Sequence, residues 1–232
     1  VPFGASLLFE IADVPGLRFH VEICEDVWVP IPPSSFAALA GANVLVNLSA
    51  SNVVVGKSGY RHQLVSQQSA RCLAAYLYTS AGRGESSTDL AWDGQAVIYE
   101  NGELLAESER FLDESPLILA DVDLERLAHE RMRQTTFGQS VLRHKAEAAR
   151  FQTVSFEIGL QMDQPLPLVR RVERFPYVPA DRRRRDERCD EVYNIQVQAL
   201  LQRLSAIGTD KVVIGVSGGL DSTHALLVCA KA

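Results

Sequence analysis

Leu17-Arg-Phe-His-Val-Glu-Ile-Cys-Glu-Asp-Val-Trp28 decides how the chain is read. Leu17, Phe19, Val21 and Ile23 alternate with Arg18, His20 and Glu22, the period of two expected of a strand that buries one face. The strand stops at Cys24, and an acidic pair and a tryptophan follow. A thiol at a strand-to-turn junction is the arrangement that exposes a nucleophile to a pocket. Alone, a cysteine more often fills a core as a small apolar group, so its surroundings must decide.

Working outward, Pro30, Pro32 and Pro33 break regular structure, and Ser34 or Ser35 is placed to cap a helix over 36–40. Asn43-Val-Leu-Val-Asn-Leu48 reads as a short buried strand. Residues 60–74 read as a helix with Leu64, Ala70, Leu73 and Ala74 on its apolar face, passing into a strand that ends at Ser80. Asn101-Gly102 between 96–99 and 103–105 is a hairpin signal. A further strand is expected over 117–122, and Asp123 is placed to cap a charged helix running to Arg133.

After residues 151–160 the composition changes. Gln164-Pro-Leu-Pro-Leu168, Pro176, Pro179 and the arginines 182–185 read as a connector, solvated because Asp181, Asp186 and Glu187 surround the basic run. An amphipathic helix is then expected over 189–204, with Val192, Ile195, Ala199 and Leu200 on one face. Val212-Val-Ile-Gly-Val216 is a continuous apolar run of the kind found in parallel sheets. Helix, strand, Gly-rich turn and helix in that order open a doubly wound α/β domain. The expected division is 1–160 as one domain, 161–188 as linker and 189–232 as the start of a second. The chain begins without Met and stops within a helical pattern, so both ends are expected to be cuts.

Composition narrows the functions. The 232 residues are 47% hydrophobic and 22% charged, a balance suited to packed globular domains. A net charge of −6 argues against a surface built to follow a phosphate backbone. No apolar run approaches the roughly 20 residues that span a bilayer, and no signal-peptide order opens the chain, so a cytoplasmic location is expected. Cys24, Cys72, Cys189 and Cys229 are far apart without a CxxC pair, which suggests neither zinc cluster nor disulfide framework. The five histidines show no metal spacing and read as surface or satisfied residues, and a serine hydrolase would need a GxSxG elbow the chain lacks.

Ser217-Gly-Gly-Leu-Asp-Ser222 lies between the apolar strand and the last helix. Gly218 and Gly219 let backbone approach a ligand, the helix offers free N–H groups, and Ser217 and Ser222 add hydroxyl donors for pyrophosphate. Asp221 is placed to hold Mg²⁺ against phosphates, since that hard cation prefers carboxylate oxygen. A plain Gly-rich turn capped by Asp221 or Ser222 is the structural alternative. The full SGGLDS resembles the PP-loop of ATP pyrophosphatases, which implies attack at the α-phosphate of ATP, an adenylated intermediate and pyrophosphate. It is not the GxxxxGK[ST] loop.

His20-Val-Glu-Ile-Cys-Glu-Asp-Val-Trp28 resembles the nucleophile segment of the nitrilase superfamily. Asn47-Leu-Ser-Ala-Ser51 with Gly56-Lys57, and Gly84-Glu-Ser-Ser-Thr-Asp-Leu-Ala-Trp-Asp-Gly94, are similar to the pocket segments of its glutaminase members. The resemblance implies an α-β-β-α sandwich, incomplete here at its N-terminus, with Cys24 attacking an amide and the Glu25 N–H holding the oxyanion. It implies that Glu25, Trp28 and Ser51 contact glutamine and that Lys57 pairs with its α-carboxylate. Structural alternatives are a turn cap for Ser51, a solvated lysine for Lys57 and a core role for Trp28. The family's Glu base and Lys fall upstream of the 23 residues before Cys24, so the chain as given is expected to be inactive.

Joined to a PP-loop, these features resemble the glutamine-dependent NAD synthetase family, a likeness that also takes in Glu173-Arg-Phe-Pro-Tyr-Val-Pro179 and Tyr193-Asn-Ile-Gln196. It implies conversion of deamido-NAD to NAD with ATP, Mg²⁺ and glutamine in a homo-oligomer, without nucleic acid or membrane. The rivals are a free nitrilase-type amidase, another PP-loop amidotransferase, and an incomplete piece that serves only in assembly.

Overall fold

The structure, a computed structural model, describes residues 2–85, 89–160, 167–170, 172 and 174–232. The chain divides into two compact units, Val1–Arg171 and Val172–Ala232.

In the first unit the elements run β1 Leu7–Ile11, β2 Arg18–Ile23, a 3-10 helix Cys24–Trp28, α1 Pro33–Leu39, β3 Val44–Ser49, α2 Lys57–Cys72 and β4 Ala75–Ser80. They continue as β5 Ala96–Glu100, β6 Glu103–Glu107, α3 Leu124–Arg133, α4 Thr135–Arg143, α5 Lys145–Ala148 and β7 Gln152–Phe156. The strands form one mixed sheet in the order β6-β5-β4-β3-β2-β1-β7. Its centre is parallel, with Glu22 beside Asn47 and Asn47 beside Tyr78. The edge hairpin β5–β6 turns at Asn101 and Gly102, both at positive φ (48° and 85°), the conformation that Asn-Gly supplies at least cost.

One face of the central strands lies under α1 and α2 and holds the core, including Leu8, Leu45, Tyr76, Tyr78 and Val65. That face is unexpectedly polar. In β2 it is His20 and Glu22, each 2% exposed, that are buried, while Ile23 is 63% exposed, the reverse of the apolar row read from the alternation. Hydrogen bonds make this burial tolerable. His20 Nδ1 lies 2.9 Å from the Leu7 carbonyl, Ser34 N–H donates to Glu22 Oε2 at 2.9 Å, and the Tyr76 hydroxyl donates to Glu22 Oε1. In α2 the buried side is likewise Arg61, Val65, Gln68, Ser69 and Cys72 rather than the row containing Leu64 and Ala70. The opposite sheet face carries Phe19, Val21, Val46 and Leu48, the last 51% exposed.

Several expected details are corrected. The cap of α1 is Pro32, with Pro33 at the first helical position; Ser34 sits inside the helix and spends its N–H on Glu22 instead. Residues 117–122 form no strand, because their backbone joins no ladder among the described residues; the Asp121 carboxylate accepts from the N–H groups of Val169 and Arg170 instead. Asp123 does cap α3, accepting from Arg126 N–H at 2.9 Å. Strands β1 and β7 and helices α4 and α5 were not anticipated.

The second unit carries two helices, α6 Arg182–Ile207 and α7 Leu220–Lys231, with irregular chain before α6 and between the two. The helix begins at Arg182, so the basic run expected to be connector is its first turn, capped by Asp181. Its inward row is Tyr193, Val197, Leu200 and Leu204, so of the expected face only Leu200 is half-buried, whereas Val192, Ile195 and Ala199 are exposed. Residues 212–216, expected as a strand, run without a ladder and mostly exposed, because no neighbouring strand is present among the described residues of this unit to satisfy their backbone. Residues 161–166, 171 and 173 of the expected linker lie outside the described residues. Among the described residues no helix is long and apolar enough to cross a membrane.

Candidate active site

Cys24 stands where β2 becomes the 3-10 helix, at φ +49°, in the left-handed region that an L-residue occupies only when its surroundings hold it there. The hold is visible. The Ile23 N–H donates to Asp26 Oδ2 at 2.8 Å, closing the turn, and Asn47 Nδ2 donates to the Cys24 carbonyl at 3.2 Å. The sulfur is half-buried and receives a hydrogen bond from Ser49 Oγ at 3.5 Å, while the Tyr78 hydroxyl donates to Ser49 Oγ at 3.0 Å. Asn47, Ser49 and Ser51 are two apart, so the pleat of β3 and its extension puts all three on the buried side.

Ser51 is 7% exposed and its carbonyl is fixed from two sides. Arg61 Nη2 donates to it at 2.8 Å and Ser80 Oγ at 3.4 Å. Arg61 is itself paired with Asp93 at 2.7 Å, both side chains almost completely buried, and a further bond at 3.2 Å joins Arg61 to Gln95 Oε1. Lys57 is the first residue of α2 and turns back to donate to the Asn52 carbonyl at 2.7 Å and to Asn52 Oδ1 at 3.2 Å. Its ammonium lies 5.3 Å from the centre of the Trp28 ring, which packs on Tyr60. Burial, followed by the charge of Arg61, lowers its pKa from 10.5, while Cys24, Asp93 and Glu25 act in the opposite sense.

The expected residues of this site therefore gather in one region. Cys24, Glu25 and Trp28 share the 3-10 helix, and Ser51 and Lys57 bound the next loop. Lys57 combines a cation with an aromatic wall and neutral partners of its own, suited to an incoming carboxylate. Arg61, Asp93, Ser49 and Tyr78 were not assigned roles from sequence. The one signal the sequence offers is the spacing of 47, 49 and 51; Asp93 falls within the 84–94 motif, of which residues 86–88 lie outside the described residues.

In the second unit Gly218 has φ +84°, and the turn leads into α7 with Asp221 in its first helical turn. Ser217 Oγ and Ser222 Oγ are 3.1 Å apart, and Ser222 Oγ and Thr223 Oγ1 donate to the Gly219 carbonyl at 3.1 and 2.9 Å. The loop is exposed. Among the described residues no group of three or more His, Cys, Asp or Glu is placed to hold a metal, so Asp221 is a single carboxylate donor.

Comparison with known proteins gives these observations a context. Residues 1–131 match the family model described as carbon-nitrogen hydrolase. Over 231 residues the chain is 56% identical to the glutamine-dependent NAD(+) synthetase of Mycobacterium leprae, covering all of this chain and 34% of the relative. It is 27% identical to the Thermotoga maritima protein of the same name over 99% of this chain and 36% of that one. The chain thus spans about a third of the length of the curated relatives it matches. Among solved structures, glutamine-dependent NAD+ synthetase from Acinetobacter baumannii in complex with adenosine diphosphate matches 97% of this chain and 32% of its own, at 22% identity and a TM-score of 0.43. The family match extends over more than half of the sequence, through β2, the Cys24 turn and the Ser51–Lys57 loop, and the chain belongs to the carbon-nitrogen hydrolase family.

Proposed function

We propose that this chain carries the thiol site of a glutamine amidohydrolase and, in its second unit, the adenylating loop of an ATP-dependent step that consumes the ammonia. The observation that carries the reading is the half-buried Cys24 in a left-handed turn, with Ser49 on its sulfur and the Lys57–Trp28 pair beside it. In this reading Cys24 attacks the side-chain amide of glutamine, and the Glu25 N–H receives the oxyanion. Trp28 and Ser51 shape the pocket, and Lys57 binds the α-carboxylate. Ammonia leaves, and water releases glutamate from the thioester.

The name shared by the 56% identical relative supports extending this to the whole protein: glutamine, water, deamido-NAD and ATP give glutamate, NAD, AMP and pyrophosphate. Ser217, Gly218, Gly219 and Ser222 would bind the ATP phosphates. Asp221 fits a site where Mg²⁺ takes one carboxylate and completes its shell from phosphates and water, because that ion is commonly held this way; there it would neutralise phosphate charge. Residues 1–160 serve as the amidase part, 161–188 as a connector whose last residues already form the start of α6, and 189–232 as the start of the synthetase part, in a cytoplasmic homo-oligomer.

The test uses the full-length protein with Cys24→Ala. Glutamine-driven NAD formation is expected to vanish while formation from free ammonia persists. Retention of the glutamine-driven rate would contradict the reading. Pyrophosphate release coupled to the reaction separates it from a free amidase.

A further inference from the structure

Asn47 is fully buried on β3, and its side chain is spent on a backbone group at the nucleophile. Its Nδ2 donates to the Cys24 carbonyl at 3.2 Å, while its Oδ1 is buried without a partner among the described residues. Turning the amide over would set oxygen against oxygen, so the chemistry fixes which end faces Cys24. The peptide that follows Cys24 is trans, as none among the described residues is cis, and in a trans peptide the C=O and the next N–H point in opposite directions. Fixing the Cys24 oxygen therefore fixes the direction of the Glu25 N–H. Cys24 sits at φ +49°, a conformation that needs such a restraint.

We propose that Asn47 is a positioning residue of the thiol site, which holds the Cys24 carbonyl so that the Glu25 N–H is aimed at the oxyanion of the tetrahedral intermediate. The proposal rests on the reading of Cys24 as the nucleophile. As the sulfur–carbon bond forms, the carbonyl π pair moves onto oxygen. When that pair returns, the carbon–nitrogen bond breaks, and the nitrogen leaves as ammonia with the proton given up by the thiol. Asn47 exchanges no proton. Its effect falls on the charged oxygen, and the sulfur is held separately by Ser49.

Alkylation of a thiol by iodoacetamide displaces iodide at a saturated carbon and creates no oxyanion, so it reports the sulfur alone. In the full-length protein, Asn47→Leu and Asn47→Ala both remove the donor while changing the side-chain volume in opposite directions. Both are expected to lower kcat for glutamine hydrolysis roughly 10- to 100-fold, with KM within about twofold and the Cys24 alkylation rate unchanged. An unchanged kcat would overturn the proposal, and so would a loss of alkylation in step with kcat, whether from displaced sulfur or from misfolding. Failure of the underlying reading looks different: Cys24→Ala would then keep its glutaminase activity.

Discussion

Arg61 and Asp93 face each other at 2.7 Å with side chains 1% and 0% exposed, and the free arm of the guanidinium fixes the Ser51 carbonyl at 2.8 Å. Breaking a buried ion pair strands the remaining charge, at a cost of about 3 to 5 kcal/mol. Asp93→Asn is therefore expected to lower unfolding stability by that order in chemical denaturation. It should also raise KM for glutamine, because the loop from Ser51 to Lys57 loses its anchor.

Lys57 supplies a second prediction. Replacing it with Met removes a charge-assisted contact and should raise KM for glutamine roughly 10- to 100-fold with little change in kcat. Binding requires the protonated ammonium, and burial has lowered its pKa from 10.5. A plot of kcat/KM against pH is accordingly expected to fall on the alkaline side before 10.5, and Lys57→Arg should abolish that limb.

The two units can be separated by substitution. Asp221→Ala in the full-length protein is expected to reduce pyrophosphate release by roughly 100-fold or more while glutamine hydrolysis continues. Equal loss of both activities would remove the role assigned to the loop at 217–222.

Cys72 is the contrasting thiol. Burial at the end of α2, against α1, pushes its pKa from 9.0 up to about 12, so it stays protonated and unreactive where Cys24 is accessible. The folded pKa lies above the unfolded one, so the unfolded chain releases this proton first as pH rises. The stability contribution is whole below pH 9 and is lost between 9 and about 12. Cys72→Ala should flatten the alkaline decline of unfolding free energy by up to about 1.4 kcal/mol per pH unit.

The sequence made the strand before Cys24, the 101–102 hairpin and the Asp123 cap legible, because each depends on local backbone preference. What it concealed was polarity inside. His20, Glu22, Asn47, Arg61 and Gln68 are buried, so a hydropathy period assigns the wrong face to β2 and α2. Partners distant in sequence take up most of their hydrogen bonding, Glu22 by Tyr76 and Arg61 by Asp93, while His20 Nε2, Asn47 Oδ1 and Arg61 Nε are left without a partner among the described residues, and no local pattern displays such pairs. The run 212–216 failed for a related reason: apolar composition marks a strand, but ladder partners make one. Within the thiol site, the residues proposed as reactive or substrate-facing, Cys24, Glu25, Trp28, Ser51 and Lys57, come from the motif, whereas the supports Ser49, Tyr78, Arg61 and Asp93 come only from geometry.

Mapping the covalent adduct tests the central claim most directly. The full-length protein is treated with a glutamine-shaped electrophile, then digested and analysed by mass spectrometry, with excess glutamine as competitor. One adduct on Cys24, suppressed by glutamine and lost in Lys57→Met at matched reagent concentration, is the expected result. Modification of Cys189 or Cys229 with Cys24 untouched, or labelling of Cys24 indifferent to glutamine, would contradict the account.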